Sequence, residues 1–82
     1  MSKKLKTLDW LVNGHGDITI GRVHSIRCAA TACDDDAQLA ALIRRKGESL
    51  QDLLARLEVA VNRWYDDEAY IDEINNGPDY SI

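Results

Sequence analysis

The stretch from Ser49 to Trp64 limits what this chain can fold into more than any other part of it. Leu50, Leu53, Leu54, Leu57, Ala60, Val61 and Trp64 recur at spacings of three and four, which at 3.6 residues per turn gathers them on one stripe of a helix. Ser49 stands where an N-cap is needed, its hydroxyl placed to accept a backbone N–H of the first turn, and Asp52 completes a capping box of the S-x-x-D kind. Gln51, Asp52, Arg56, Asn62 and Arg63 fall on the other side and are expected to face water, with Asp52 and Arg56 at the favourable i,i+4 spacing. A helix from Ser49 to Trp64 is roughly 24 Å long. It falls short of the run of about 20 apolar residues that a membrane span requires, so its stripe needs a protein surface to cover.

The chain has 82 residues, enough for one domain over residues 1–82. A domain this small buries only about 60% of the surface its unfolded chain exposes, which makes self-association, a homodimer in the simplest case, a natural expectation. Hydrophobic residues make up 45% of the sequence and phenylalanine is absent, so the core is expected to rest on Leu, Ile, Val, Trp10 and Trp64. Lys3, Lys4 and Lys6 are followed by Leu8, Asp9 and Trp10 without a continuous apolar run, which is not the pattern of a signal peptide. Two cysteines, Cys28 and Cys33, are too few for a disulfide scaffold and suit a reducing compartment; the expected location is the cytoplasm.

Charge is unevenly distributed. Residues 1–33 carry five basic and two acidic side chains, residues 34–65 five and six, and residues 66–82 none and six, for the overall charge of −4. Nucleic-acid affinity comes largely from Lys and Arg neutralising phosphates, so an acidic chain with no sustained basic stripe is not expected to bind nucleic acid.

Taken in order, residues 1–6 form a basic lead-in expected to be flexible. Thr7 to Val12 has strand-like content, and Asn13-Gly14-His15-Gly16-Asp17 reads as a turn, so a hairpin is expected. Asp17 to Ile20 is a short β-branched run, Gly21 marks a bulge or bend, and Val23 to Ala32 continues extended, with Ile26, Cys28, Ala30 and Ala32 sharing one face. Asp34-Asp35-Asp36 interrupts the apolar pattern. Residues 37–46 admit two readings: a helix with an Asp N-cap and Gly47 beyond its end, or a strand paired with 23–32 across the acidic turn. The strand is preferred, because it gives the preceding extended segment a hydrogen-bonding partner. Tyr70, Ile71 and Ile74 form a short docked element that Asn76-Gly77-Pro78 ends, and residues 77–82 are expected to be flexible. The fold expected is α+β: a small antiparallel sheet of three or four strands, one long amphipathic helix across it, and a short C-terminal element.

Two resemblances add to this reading. The order strand, turn, strand, then Gly47-Glu48-Ser49-Leu50 opening a helix with Leu53, Leu54, Leu57 and Val61, resembles the half-sheet-plus-helix domain of HicB-type antitoxins over about half the chain. The resemblance implies an antitoxin-like regulator that binds a small basic toxin; the aromatic and Pro-Gly-Cys pattern of the antitoxins' second strand is missing here. Arg45-Lys46-Gly47-Glu48-Ser49-Leu50, Leu53-Leu54-Ala55-Arg56-Leu57 and Asp72-Glu73-Ile74-Asn75 together resemble small uncharacterised bacterial proteins of the prophage and mobile-element kind. That resemblance implies no activity.

Candidate chemistry is sparse. His15, His24, Cys28 and Cys33 are the soft metal ligands available, but the tight pairs typical of zinc sites are missing and Cys33 points away from Cys28 on a strand, so no metal site is expected. A disulfide between Cys28 and Cys33 is excluded by the same strand geometry. His15 and Asp17 invite a catalytic reading, yet no nucleophile accompanies them at recognisable spacing, and a turn explains both. Arg44-Arg45-Lys46 reads as a solvated strand end. The acidic runs at 34–36 and 66–73 lack the D-x-D-x-D-G loop of a calcium site. No catalytic residue and no cofactor is therefore expected. The functional expectation is a non-enzymatic accessory or protein-interaction module whose partner is a protein, basic in character. The residues expected to bind it are Tyr65, Asp66, Asp67, Glu68, Tyr70, Asp72 and Glu73, carboxylates with aromatic anchors among them.

Overall fold

The structure, a computed structural model, describes residues 5–23 and 25–74. Helix α1 (Lys6–Asn13) is followed by strands β1 (Asp17–Val23), β2 (Ile26–Cys33) and β3 (Gln38–Ile43), the long helix α2 (Leu50–Asp67) and a two-residue strand β4 (Ile71–Asp72). The sheet runs in the order β1-β2-β3-β4. β1, β2 and β3 form an antiparallel meander, so residues 37–46 do contain the expected strand. The short C-terminal element is β4, which adds to this antiparallel sheet parallel to β3: α2 crosses back over the sheet and returns the chain in the direction of β3, the geometry of a crossover connection. The fold is α+β, with α2 packed across a four-stranded mixed sheet.

The register sorts the sheet into two faces. Ile18, Ala32, Ala40 and Ile71 stand in one row and Ile20, Ala30 and Leu42 in the next, both on the face that meets the helices. Alanine at 30, 32 and 40 leaves room for α2 to settle closely, and Leu53, Leu57, Ala60 and Val61 are buried against them. Cys28, Ala30 and Ala32 share that face as expected, whereas Ile26, beyond a register shift, is outside the cluster. A second shift between Ala32 and Cys33 puts one extra residue in β3, which lets the consecutive Leu39 and Ala40 both enter the core. The shift near the end of β1 falls at Gly21, whose φ of 148° favours glycine.

α2 begins as its sequence indicates. Ser49 Oγ accepts the Asp52 N–H at 3.0 Å. Its stripe is buried at Leu53, Leu57, Ala60 and Val61 and half-buried at Leu54 and Trp64, while Leu50 is 47% exposed. The helix ends at Glu68, whose N–H bonds the Trp64 carbonyl at 2.8 Å and whose left-handed conformation (φ 56°) turns the chain so that the Ala69 N–H reaches the Arg63 carbonyl at 3.3 Å.

Residues 7–12 are a correction. They form the greater part of α1 and not a strand, and the expected first hairpin is replaced by the β1–β2 hairpin. Leu5, Leu8 and Leu11 lie on one stripe of a helix and meet the core, and the start of that helix is held from α2. The Glu58 carboxylate on α2 accepts the N–H groups of Thr7 and Leu8, each at 2.9 Å, satisfying donors that a helix start leaves open, and Thr7 Oγ1 donates to Asn62 Oδ1 at 2.6 Å. Burial works to raise the Glu58 pKa, and the N–H groups of Leu8 and Thr7 outweigh it, so the carboxyl sits below its usual range. Leu8 and Leu11, three apart on a helix, are then buried against the core. Trp10, expected inside, is 61% exposed. Of the basic lead-in, Leu5 packs against the core and Lys6 opens α1; residues 1–4 and 77–82 lie outside the described residues.

Candidate functional site

The turn between β2 and β3 is built by Asp34. Its Oδ1 accepts the N–H groups of Asp36 (2.8 Å) and Ala37 (2.9 Å), and its own N–H donates to the Ala37 carbonyl at 2.9 Å. These N–H groups, Asp36 first, hold the Asp34 carboxyl below its usual pKa. The second oxygen accepts the Tyr65 hydroxyl at 3.4 Å. Tyr65 stands near the end of α2, and burial followed by the nearby Asp34 charge pushes its phenol up. Its ring meets Trp10 of α1 edge to face, with centroids 5.6 Å apart and planes at 86°.

The α1–β1 corner closes the remaining side. The Gly14 and Gly16 N–H groups bond the Leu11 carbonyl at 3.2 and 2.9 Å, and Gly16 passes so close to Leu11 and to the Cys33 carbonyl that an added Cβ would overlap both. His15 is thereby held opposite the turn, Nδ1 at 3.6 Å from Asp35 Oδ2, with both side chains largely in solvent. Trp10, Leu11, His15, Asp34, Asp36 and Tyr65 are among the residues lining a hollow of about 420 Å³. Two aromatic rings and a run of carboxylates around one hollow suit a cation: the ring faces attract it through their quadrupoles and the aspartates through charge.

The seven residues expected to bind a partner are divided by the fold. Tyr65 enters this hollow, and Asp66, Asp67 and Glu68 follow it as exposed carboxylates at the end of α2. Tyr70 turns elsewhere: its hydroxyl accepts from Gln38 Nε2 at 2.7 Å and donates to Asp72 Oδ2 at 3.2 Å, and its ring meets Trp64 edge to face. Asp72 is buried and its Oδ1 accepts the Ile74 N–H at 3.0 Å. Glu73 serves the far end of β3, where Oε1 accepts the Ile43 N–H at 2.8 Å and Oε2 takes Arg56 Nη1 at 3.1 Å.

Arg56, assigned from the sequence to the water-facing side of α2, is the centre of an ion cluster. Its Nε and Nη2 donate to the two oxygens of Glu48 at 2.7 and 2.9 Å, and Nη2 also reaches the Ile43 carbonyl at 2.9 Å. The bonds from Arg56 hold the Glu48 carboxyl at about 2 against an ordinary 4.5. A second, wider cleft of about 590 Å³ runs past Arg56 between α2 and the β3–β4 side of the sheet. Arg56, Glu48 and Glu73 within it are engaged with one another, which leaves it the weaker candidate.

Among the described residues no group of three or more His, Cys, Asp or Glu side chains is placed to hold a metal ion; His24 lies outside them. Cys28 and Cys33 are free and half-buried. Burial, then the charges of Asp17 and Asp34, push the Cys33 thiol up, away from the thiolate a nucleophile needs. No helix among the described residues is long and apolar enough to cross a membrane. Trp10 and Asp34–Asp36 join Tyr65 through contacts that span 55 and 31 residues of sequence, and no local pattern announces them. Comparison of the chain with models of known protein families, with curated proteins and with solved structures gave no match in any of the three.

Proposed function

We propose that the protein is a non-enzymatic interaction module that holds a basic segment of a partner protein, seating a lysine or arginine side chain in the hollow between Trp10, Tyr65 and Asp34–Asp36. The observation that carries this reading is the placement of a tryptophan that is 61% exposed, in ring contact with a tyrosine that is 42% exposed, beside three consecutive aspartates. Exposed aromatic pairs of this kind are anchors at interfaces, and a cation over such rings gains about 0.5–2 kcal/mol. Asp66, Asp67 and Glu68 extend the negative surface along the route a basic segment would take. A small basic toxin has this chemistry, and the resemblance to HicB-type antitoxin domains makes a toxin encoded in an adjacent reading frame the first partner to try. The two free thiols favour a cytoplasmic location.

The test is a titration of the 15N-labelled protein with a short Lys- and Arg-rich peptide, followed at the two indole Nε1–H resonances. The Trp10 resonance moves and that of Trp64 stays. Asp35→Asn with Asp36→Asn, and separately Trp10→Ala, weaken binding about tenfold, and added salt weakens it further. Asp34 is left intact because it builds the turn. A Trp10 resonance that does not respond, or equal binding by the Trp10→Ala variant, refutes the reading.

A further inference from the structure

We propose that the chain associates with itself head to tail: the loop at 44–46 of one copy enters the hollow between Trp10, Tyr65 and the aspartates 34–36 of the next, with Lys46 as the seated cation. This rests on the reading of that hollow as a seat for a basic side chain, and it names a second copy as the partner. The sheet segregates charge into two poles. Val23 pairs with Ile26, and Arg44 donates its N–H to the Cys28 carbonyl at 3.0 Å. The exposed Arg22, Arg27, Arg44, Arg45 and Lys46 are thereby gathered at one end of the strands. At the other end Cys33 pairs with Asp17 and Gln38, and Tyr65 reaches Asp34, which collects the acids at 17, 34–36 and 66–68. Among the described residues none of the five cations is in an ion pair.

Two copies share a net charge of −4, which repels them as wholes. At about 3.3 Å per residue, however, the eight residues of β2 hold the poles roughly 25 Å apart. That is well beyond the screening length of about 8 Å at physiological salt, so the poles that face each other decide the sign. Neither pole serves the fold that carries it. The acids at 66–68 stand at the negative end of the α2 dipole with no base in its last turn, and the loop cations stand before its positive end. Both placements are unfavourable within one copy and are relieved by an opposite charge from another. Lys46 is also presented on an ordered turn. The Arg45 carbonyl accepts the Glu48 N–H at 3.0 Å, and Gly47 has the φ of 79° that such a turn favours. Glu48 ties the loop down further: its Oε1 accepts the Arg45 N–H at 2.9 Å and its carbonyl accepts Arg44 Nε at 2.8 Å. A loop already ordered gives up little freedom when it docks.

Sedimentation velocity of the full chain at rising concentration tests this first. In about 20 mM salt the average mass climbs past twice 9.2 kDa, because a contact between two different patches leaves one of each free on every assembly. In about 500 mM salt it returns to 9.2 kDa. Arg45→Ala with Lys46→Ala removes one pole, and Asp35→Asn with Asp36→Asn the other; all these positions are exposed, and the far-ultraviolet circular dichroism stays that of wild type. Each variant alone is a monomer, whereas the two mixed form a 1:1 pair that grows no further. With the Arg45→Ala, Lys46→Ala protein 15N-labelled, its Trp10 indole resonance moves on mixing and that of Trp64 stays. A wild type that is monomeric at low salt, variants that associate like wild type, or a mixture that does not pair overturns the proposal. The labelled variant keeps its hollow, so the Lys- and Arg-rich peptide separates the two ways of failing: if the peptide still moves Trp10, only self-association is lost, and if it does not, the reading of the hollow falls as well.

Discussion

Replacing Arg56 with Met keeps most of the side chain's length and removes its charge and donors, which isolates the cluster it forms with Glu48 and Glu73. The folded Glu48 carboxyl lies at about 2 against an ordinary 4.5. At about 1.4 kcal/mol per tenfold change in proton affinity, that gap corresponds to about 3 kcal/mol. The side chains of Arg56 and Glu48 are 22% and 8% exposed, so solvent screening trims the figure without erasing it, and about 2–3 kcal/mol is the expected loss in Arg56→Met at pH 7. The sign follows from the lowered value. Stabilisation of the ionised form is fully present above pH 4.5 and is lost as pH falls through about 2. Urea melts at pH 7, 4, 3 and 2.5 read this directly. The gap between wild type and Arg56→Met should be widest at pH 7 and shrink to under about 1 kcal/mol near pH 2, with little change in the urea dependence. Glu58 and Asp34, also held below their ordinary values, act on both proteins alike and cancel in the difference. A gap that stays constant from pH 7 to 2.5 would show that Arg56 stabilises through packing alone and refute the electrostatic account.

Other parts of the fold make their own predictions. Glu58→Gln weakens the cap that holds the start of α1 and should cost about 1–2 kcal/mol in urea melts, with faster amide exchange confined to α1. Glu68→Gly relieves the left-handed backbone at the end of α2 (φ 56°) and should raise stability by about 0.5–1 kcal/mol in a thermal melt. Gly16→Ala forces a Cβ to 2.8 Å from the Cys33 carbonyl and into Leu11, and should destabilise by about 1–3 kcal/mol by the same measurement. Leu57→Ala, at a position with no exposure, should cost about 2–5 kcal/mol.

Features fixed by neighbours in sequence were legible before the structure. The Ser49 cap, the stripe of α2, the acidic turn at 34–36 and the irregularity at Gly21 each follow from a pattern a few residues long. The strand at 38–43 was legible through a bookkeeping of backbone partners, against its own helical propensity. What was hidden depends on contacts across the fold. Thr7 to Val12 is misread as a strand although Leu5, Leu8, Leu11 and Val12 recur at helical spacing; what no local pattern shows is the Glu58 carboxylate that caps the segment from another helix. Arg56 has a mixed set of neighbours on α2, and only the folding of β3 and β4 beside it brings the Ile43 carbonyl and Glu73 within reach. The candidate site divides in the same way. Tyr65 and the carboxylates after it could be read as a surface with aromatics, whereas Trp10 joins them only once α1 is a helix.

The distribution of carboxylates carries a further consequence. An overall charge of −4 does not say which acids are available to a partner, and the fold sorts them. Glu48, Glu58 and Glu73 are bound to Arg56 or to backbone N–H groups, and Asp34 closes a turn. Asp35, Asp36, Asp66, Asp67 and Glu68 are exposed. Neutralising the first set should lower stability, while neutralising the second should leave the fold intact and change mainly the field around Trp10 and Tyr65. Stability and the hollow can therefore be perturbed one at a time: an Asp35→Asn, Asp36→Asn protein that melts like wild type and no longer holds a basic peptide would assign binding to the hollow with no contribution from stability.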